Sequence, residues 1–212
     1  MKTTAAFLLN RRLVLAGTSG LVLAGCTDLV GPPSAPRLYV LKPVLASTAA
    51  GPKVSWALSI QMPNASAGLD SERIAILRPP ASLDYYADTA LSDRLPALVQ
   101  TAILEAFEHS ERIDAVARES DAARTDFILV TDVRDFEARY DSQDGIPTAV
   151  VHIGVKLVSA VKRNIVASFD ASEEVPAAQN SIDAAVAAFD EALGRALARI
   201  VAWALSVPPS AE

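Results

Sequence analysis

One cysteine in 212 residues, Cys26, constrains how the rest of the chain can be built. It closes an apolar run as Leu23-Ala24-Gly25-Cys26, and the pattern reads as a lipobox. Cleavage before Cys26 would make it the first mature residue and its thiol the lipid attachment point. A thiolate suits that role because it is a good nucleophile toward an activated lipid donor. With its one sulfur committed to a lipid, the mature chain has no disulfide, thiol nucleophile or zinc–thiolate site, even in an oxidising compartment. Its fold must rest on packing alone.

The residues before Cys26 fit this reading. Lys2, Arg11 and Arg12 make a basic start without an acid, and residues 13–24 are apolar and small. As a helix they rise about 18 Å, too short for a ~30 Å hydrocarbon core, so they read as a signal segment rather than a permanent span. Asn10-Arg11-Arg12-Leu13-Val14-Leu15 also resembles a twin-arginine export signal, which leaves the export route open between that and the general one. Residues 1–25 are thus expected to be a leader and 26–37 a lipidated tether with Pro32, Pro33 and Pro36. Residues 38–206 are expected to form one domain and 207–212 a tail.

Removing a leader with three basic residues and no acid takes the formal net charge from −6 to −9. Such a domain is a poor partner for nucleic acid and for an anionic bilayer surface. No later apolar run approaches a membrane span.

Within the mature chain, Val54, Trp56, Leu58 and Ile60 alternate with small or polar residues, as do Val151, Ile153, Val155 and Leu157. A period of two marks strands with one buried face. Asp126–Tyr140, Val151–Leu157 and Ile165–Phe169 follow one another with short turns and predict an antiparallel meander. Leu38–Leu41, Ile74–Leu77 and Ile113–Val116 are shorter strand candidates. Leu95, Leu98, Val99, Ala102, Ile103, Ala106 and Phe107 keep the helical i, i+3, i+4, i+7 spacing. The pattern recurs from Ile182 through Ala185, Val186, Phe189, Leu193, Leu197 and Ile200 to about Leu205. The expected fold is α+β: a two-layer sandwich, a mostly antiparallel sheet with two main helices packed on one face.

Residues able to do chemistry are few. His109 ends a helix and His152 alternates with core residues; neither sits in an H-x-x-E or H-E-x-x-H frame. Asp141, Asp144 and Gly145 lack the calcium-loop frame and read as a hairpin turn. There is no G-x-S-x-G, P-loop or G-x-G-x-x-G. No catalytic, metal-binding or cofactor-binding residues are therefore expected, and the chain is read as a non-enzyme. Asp84, Tyr85 and Tyr86 form a loop cluster suited either to packing or to partner contact.

The order of several patterns resembles a known family. Tyr85-Tyr86-Ala87-Asp88, Leu95-Pro96-Ala97-Leu98-Val99-Gln100 and Ala106-Phe107-Glu108-His109-Ser110 look like its central helix. Asp126-Phe127-Ile128-Leu129, Asp135-Phe136-Glu137-Ala138, and Ala188-Phe189-Asp190-Glu191-Ala192 before Trp203 are also similar. With the lipobox, they resemble the ABC-type transport auxiliary lipoproteins over about Leu38 to Leu205. Leu91 stands where the family often has tryptophan.

The resemblance implies two or three acyl chains on Cys26, enough for a permanent anchor. It also implies an accessory role in a mammalian-cell-entry (MCE) system, which moves phospholipid or other hydrophobic solutes between the inner and outer membranes. An ABC permease and ATPase drive such a system, and an MCE-domain protein forms its conduit. The lipoprotein would dock that conduit at the outer membrane, facing the periplasm from the inner leaflet, and Thr27 in place of an aspartate fits outer-membrane sorting. Because many MCE proteins are oligomeric, the resemblance leaves room for a homo-oligomer. The alternative is a periplasmic carrier holding acyl chains in its own cavity. That needs a wide apolar pocket, whereas the alanine-rich stripe of the last helix favours tight packing.

Overall fold

The computed structural model describes residues 35–45, 51–121, 123–142 and 144–207. Cys26, the expected leader, most of the expected tether and the last five residues lie outside them.

Three long strands carry the fold: β8 (Phe127–Arg139), β9 (Thr148–Ser159) and β10 (Ile165–Pro176). They are the expected antiparallel meander, with Leu129 opposite Leu157 and Val155 opposite Phe169. Along the other edge of β8 runs one broken line of chain: β2 (Leu58–Ile60), β3 (Asn64–Ala65) and β4 (Ala75–Arg78), each parallel to β8. β7 (Val116–Arg118) continues the sheet beyond β2, and β5 (Ser82–Tyr85) pairs with β4. Most of the pairing is antiparallel; the parallel part needs a crossover of a dozen or more residues, and α1 (Leu95–His109) supplies it. A separate two-stranded sheet joins β1 (Arg37–Tyr39) to β6 (Thr89–Leu91) in parallel.

The helices begin and end where the local chemistry allows. Pro96 lies in the first turn of α1, where its missing N–H costs nothing, and the Ser110 hydroxyl closes the other end on the Phe107 carbonyl at 2.6 Å. In α2 (Ile182–Ala204), Ser181 is the N-cap and accepts from the Ala184 N–H at 3.3 Å, while Asp183 sits at the positive end of the helix dipole.

Both helices bury their apolar stripes in one core with the inner face of the sheet. Phe107 and Ile103 from α1, Phe189, Leu193 and Leu197 from α2, and Leu129, Ile153 and Leu157 from the strands are fully buried. Phe136 stacks on Phe189 with centroids 4.7 Å apart and planes 7° from parallel. The result is the α+β two-layer sandwich expected from the sequence. No helix among the described residues is long and apolar enough to cross a membrane.

Candidate functional site

Three surfaces of the domain carry features beyond packing. The first lies where the tether joins. Residues 37–45 run over α2 as a strap, and each hold is polar or close. The Tyr39 hydroxyl donates to Asp183 Oδ1 at 2.6 Å, and Arg37 pairs with the same carboxylate at 3.2 Å. The Tyr39 bond, with Arg37, lowers the Asp183 pKa, while burial raises that of Tyr39. Farther along, the Lys42 N–H donates to Asp190 Oδ1 at 2.7 Å. At Gly194 the strap crosses so closely that an added Cβ would collide with the Val44 carbonyl. A glycine in mid-helix is otherwise costly, and here it permits the contact. Gly194→Ala is expected to destabilise the domain by about 1–2 kcal/mol, because overpacking outweighs the gain in helix propensity. Thermal unfolding, with faster proteolysis within residues 37–45, measures it.

A groove of about 530 Å³ lies on this outer side of α2. Val44, Gly194 and Ala198 floor it, and Glu173, Glu191, Arg195 and Arg199 rim it. The rim charges are paired, Arg195 with Glu191 at 2.5 Å and Arg199 with Glu173 at 2.6 Å. The groove is open to the outside and runs beside α2 and the edge strand β10.

The second surface is the sheet face turned away from the helices. Its centre is a bulge in β8: Val133 pairs with Ile153 and Asp135 with His152, so Arg134 is an extra residue. The bulge puts Arg134 and Asp135 side by side. Arg134 lies across Gly154, where a Cβ would approach its Nη2 to 2.7 Å, and pairs with Asp170. His152 places Nδ1 3.0 Å from Asp135 Oδ2 and Nε2 3.4 Å from Arg134 Nη1. With the proton on Nδ1, the ring donates to Asp135 and turns its lone pair to Arg134. Ser172 is opposite His152 in the β9–β10 register, but Arg134 and Asp170 occupy the side of the ring where a nucleophile would bond. Nearby, Glu137 is only 7 % exposed. Burial, helped by Asp135, pushes its pKa up to about 7, against the opposing Phe136 N–H, Arg139 and His152. Among the described residues no group of three His, Cys, Asp or Glu could hold a metal.

The third surface holds the Asp84-Tyr85-Tyr86 cluster. Asp84 is exposed on β5. The Tyr85 hydroxyl donates to the Gly68 carbonyl at 3.0 Å, with the Arg73 guanidinium 3.5 Å above its ring. The Tyr86 hydroxyl lies 2.9 Å from that of Tyr140, which donates to Asn180 at 3.0 Å. Burial raises the Tyr86 pKa. Both rings are half-buried with their hydroxyls engaged inward, and Asp84 is the group left facing out. His109 is exposed at the end of α1.

The model of the ABC-type transport auxiliary lipoprotein component matches residues 39–201. The chain belongs to this family. This auxiliary lipoprotein is similar to a Xanthomonas campestris protein of known crystal structure, with TM-score 0.73 and 32 % identity over 79 % of this chain and 94 % of that one. A second crystal structure, of an uncharacterized protein, shares the fold with TM-score 0.64 at 13 % identity, covering 80 % of this chain and 99 % of that one. An uncharacterized protein of Bradyrhizobium diazoefficiens is 28 % identical over 188 residues, 86 % of this chain and 49 % of that protein. The chain thus spans about half the length of this curated relative.

The family is one of lipoproteins auxiliary to ABC-type transport, which implies a membrane-anchored place in the cell envelope. The family match opens at Tyr39, so the auxiliary lipoprotein fold includes the end of β1 and the strap. The strap's holds and the bulge are not among the features expected from the sequence. Gly194 among the alanines of α2 was the available signal for the first. The slip from Val133 to Phe136, three apart where alternation requires two, was the signal for the second.

Proposed function

We propose that this auxiliary lipoprotein is a docking module of an MCE-type transporter, and not an enzyme. Lipid on Cys26 holds it to the inner leaflet of the outer membrane, and the domain reaches into the periplasm to receive an MCE-domain conduit. An inner-membrane ABC permease and ATPase would drive phospholipid or another hydrophobic solute through that conduit. The observation that carries this reading is the family match over nearly the whole described domain. The strap supports it: a chain entering at Arg37 and bonded along α2 couples the anchor to the body of the domain.

The test is binding of the lipidated full chain, in detergent, to the purified MCE-domain protein of the same bacterium. A saturable complex is expected; no complex at tens of micromolar would remove the reading. The groove beside α2 favours a second one, in which the protein itself carries an acyl chain. Lipid extracted from purified protein and identified by mass spectrometry at about one molecule per chain would support that instead.

A further inference from the structure

The sheet stops at β10, and among the described residues no strand pairs with its far side. In the β9–β10 ladder the Ala177 N–H donates to the Pro147 carbonyl at 2.8 Å, so the odd-numbered residues of β10 bond to β9. The even-numbered ones, Ser168, Asp170, Ser172 and Glu174, therefore turn their N–H and C=O groups outward. Among the described residues one group answers them: Arg199 Nη1, 3.2 Å from the Ser172 carbonyl. That carbonyl keeps a second lone pair. β10 is 12 residues long, whereas the marginal strands β5 and β7 have four and three. Long edges are ordinarily shortened, bulged or closed by proline, because they are templates for another strand. Here the register shift lies at one end of β10, between Ile165 and Ala167, and Pro176 at the other. The middle is regular and open.

The groove beside α2 borders this edge. Glu173 and Arg199 belong to both, and Val44, Gly194 and Ala198 give the groove its floor. The side chains of an added strand would alternate, one set toward α2 and the groove, the other toward the outer face with Asp170 and Glu174. An acyl chain in the groove would cover the open N–H and C=O groups without bonding them, at the cost of their hydration. A second backbone supplies donors and acceptors at the matching spacing. β10 carries Asp170, Glu173 and Glu174 and no base; the arginines paired with them come from other elements. A second copy of this edge would thus add acid to acid, and a strand with basic residues complements it.

We propose, resting on the docking reading above, that the open edge of β10 takes an extended segment of the conduit protein as a further strand of the sheet. Apolar side chains of that segment enter the groove over Gly194 and Ala198, and lysine or arginine between them meets Asp170 and Glu174. Main-chain bonds hold the segment, and the groove selects its side chains.

The experiment measures binding of the lipidated full chain, in detergent, to the same MCE-domain protein for wild type, Ser172→Pro and Ala198→Phe. Proline at 172 deletes an outward N–H and no bond to β9, so it blocks the edge while the sheet stays whole. It is expected to weaken binding about thirtyfold or more, and Ala198→Phe, which fills the groove, about tenfold. Thermal melting of both should match wild type. Amide hydrogen exchange in the wild-type complex needs no variant: the N–H groups of Asp170, Ser172 and Glu174 should exchange at least about tenfold more slowly than in the free chain. A complex that leaves those three amides unprotected would overturn the inference while the docking reading stands. If the wild-type chain fails to bind, both fall. Protection that appears in the free chain as its concentration rises would make the occupant a second copy. Unprotected amides beside a bound acyl chain would give the groove to lipid, and either result contradicts the proposal.

Discussion

Phe189→Ala will cost about 3–5 kcal/mol of stability, the range for removing a large buried ring. Phe189 is 1 % exposed and lies flat on Phe136 at 4.7 Å, so it joins α2 to the middle of β8. Truncation loses the buried area and the stacking, and it opens a cavity in the layer that both helices share. A domain of this size is stable by only about 5–15 kcal/mol, so the variant should unfold at a visibly lower urea midpoint and yield less protein in cells. Phe189→Leu keeps much of the volume and should lose less than half as much. A midpoint unchanged in Phe189→Ala would contradict the core described above.

The second large effect depends on pH. Glu137 has its folded pKa raised from 4.5 to about 7. Below its unfolded value both states hold the proton, and the residue is harmless. As pH rises toward 7 the unfolded chain releases the proton before the folded one, and stability falls; above that the penalty is constant. Glu137→Gln cannot ionise, and its amide oxygen can still accept from the Phe136 N–H, which Glu137 Oε2 now does at 2.8 Å. The variant should match wild type near pH 4.5 and exceed it by up to about 3 kcal/mol at pH 8, from ~1.4 kcal/mol per pKa unit. Urea unfolding at the two pH values measures the difference. An equal gain at both would mean that the side chain acts through packing and not through its charge.

Much of this architecture was legible from local pattern. The alternation of Val151, Ile153, Val155 and Leu157 gave β9 and its buried face, and the 3.6-residue spacing gave both helices nearly to their ends. Where the pattern was short or the partner distant, the reading weakened. Residues 54–61 alternate, yet only Leu58–Ile60 pair as a strand, and all three are buried because β7 and β8 flank them. Asp84 and Asp88 hid β5 and β6, since three or four residues are too few for a period to show. That the chain from β2 to β4 runs parallel along β8 is a long-range pairing, which alternation alone cannot reveal. The same limit applies to the site. Asp84, Tyr85 and Tyr86 were selected by composition, and the structure shows both tyrosine hydroxyls engaged within the domain. The turn at 161–165 read in sequence as an ordinary one; the exposure of Val161 and Ile165 appears only once the fold sets them at the end of β10 opposite the strap.

A lipid at Cys26 and a docking surface in the domain that follows are the two parts of the proposed function. Fractionation of cells expressing Cys26→Ala tests this most directly, read together with transport. The variant should leave the membrane pellet for the soluble envelope fraction, keep its affinity for the conduit protein in solution, and fail to support transport. A Cys26→Ala chain that still sediments with membranes and leaves transport intact would contradict it.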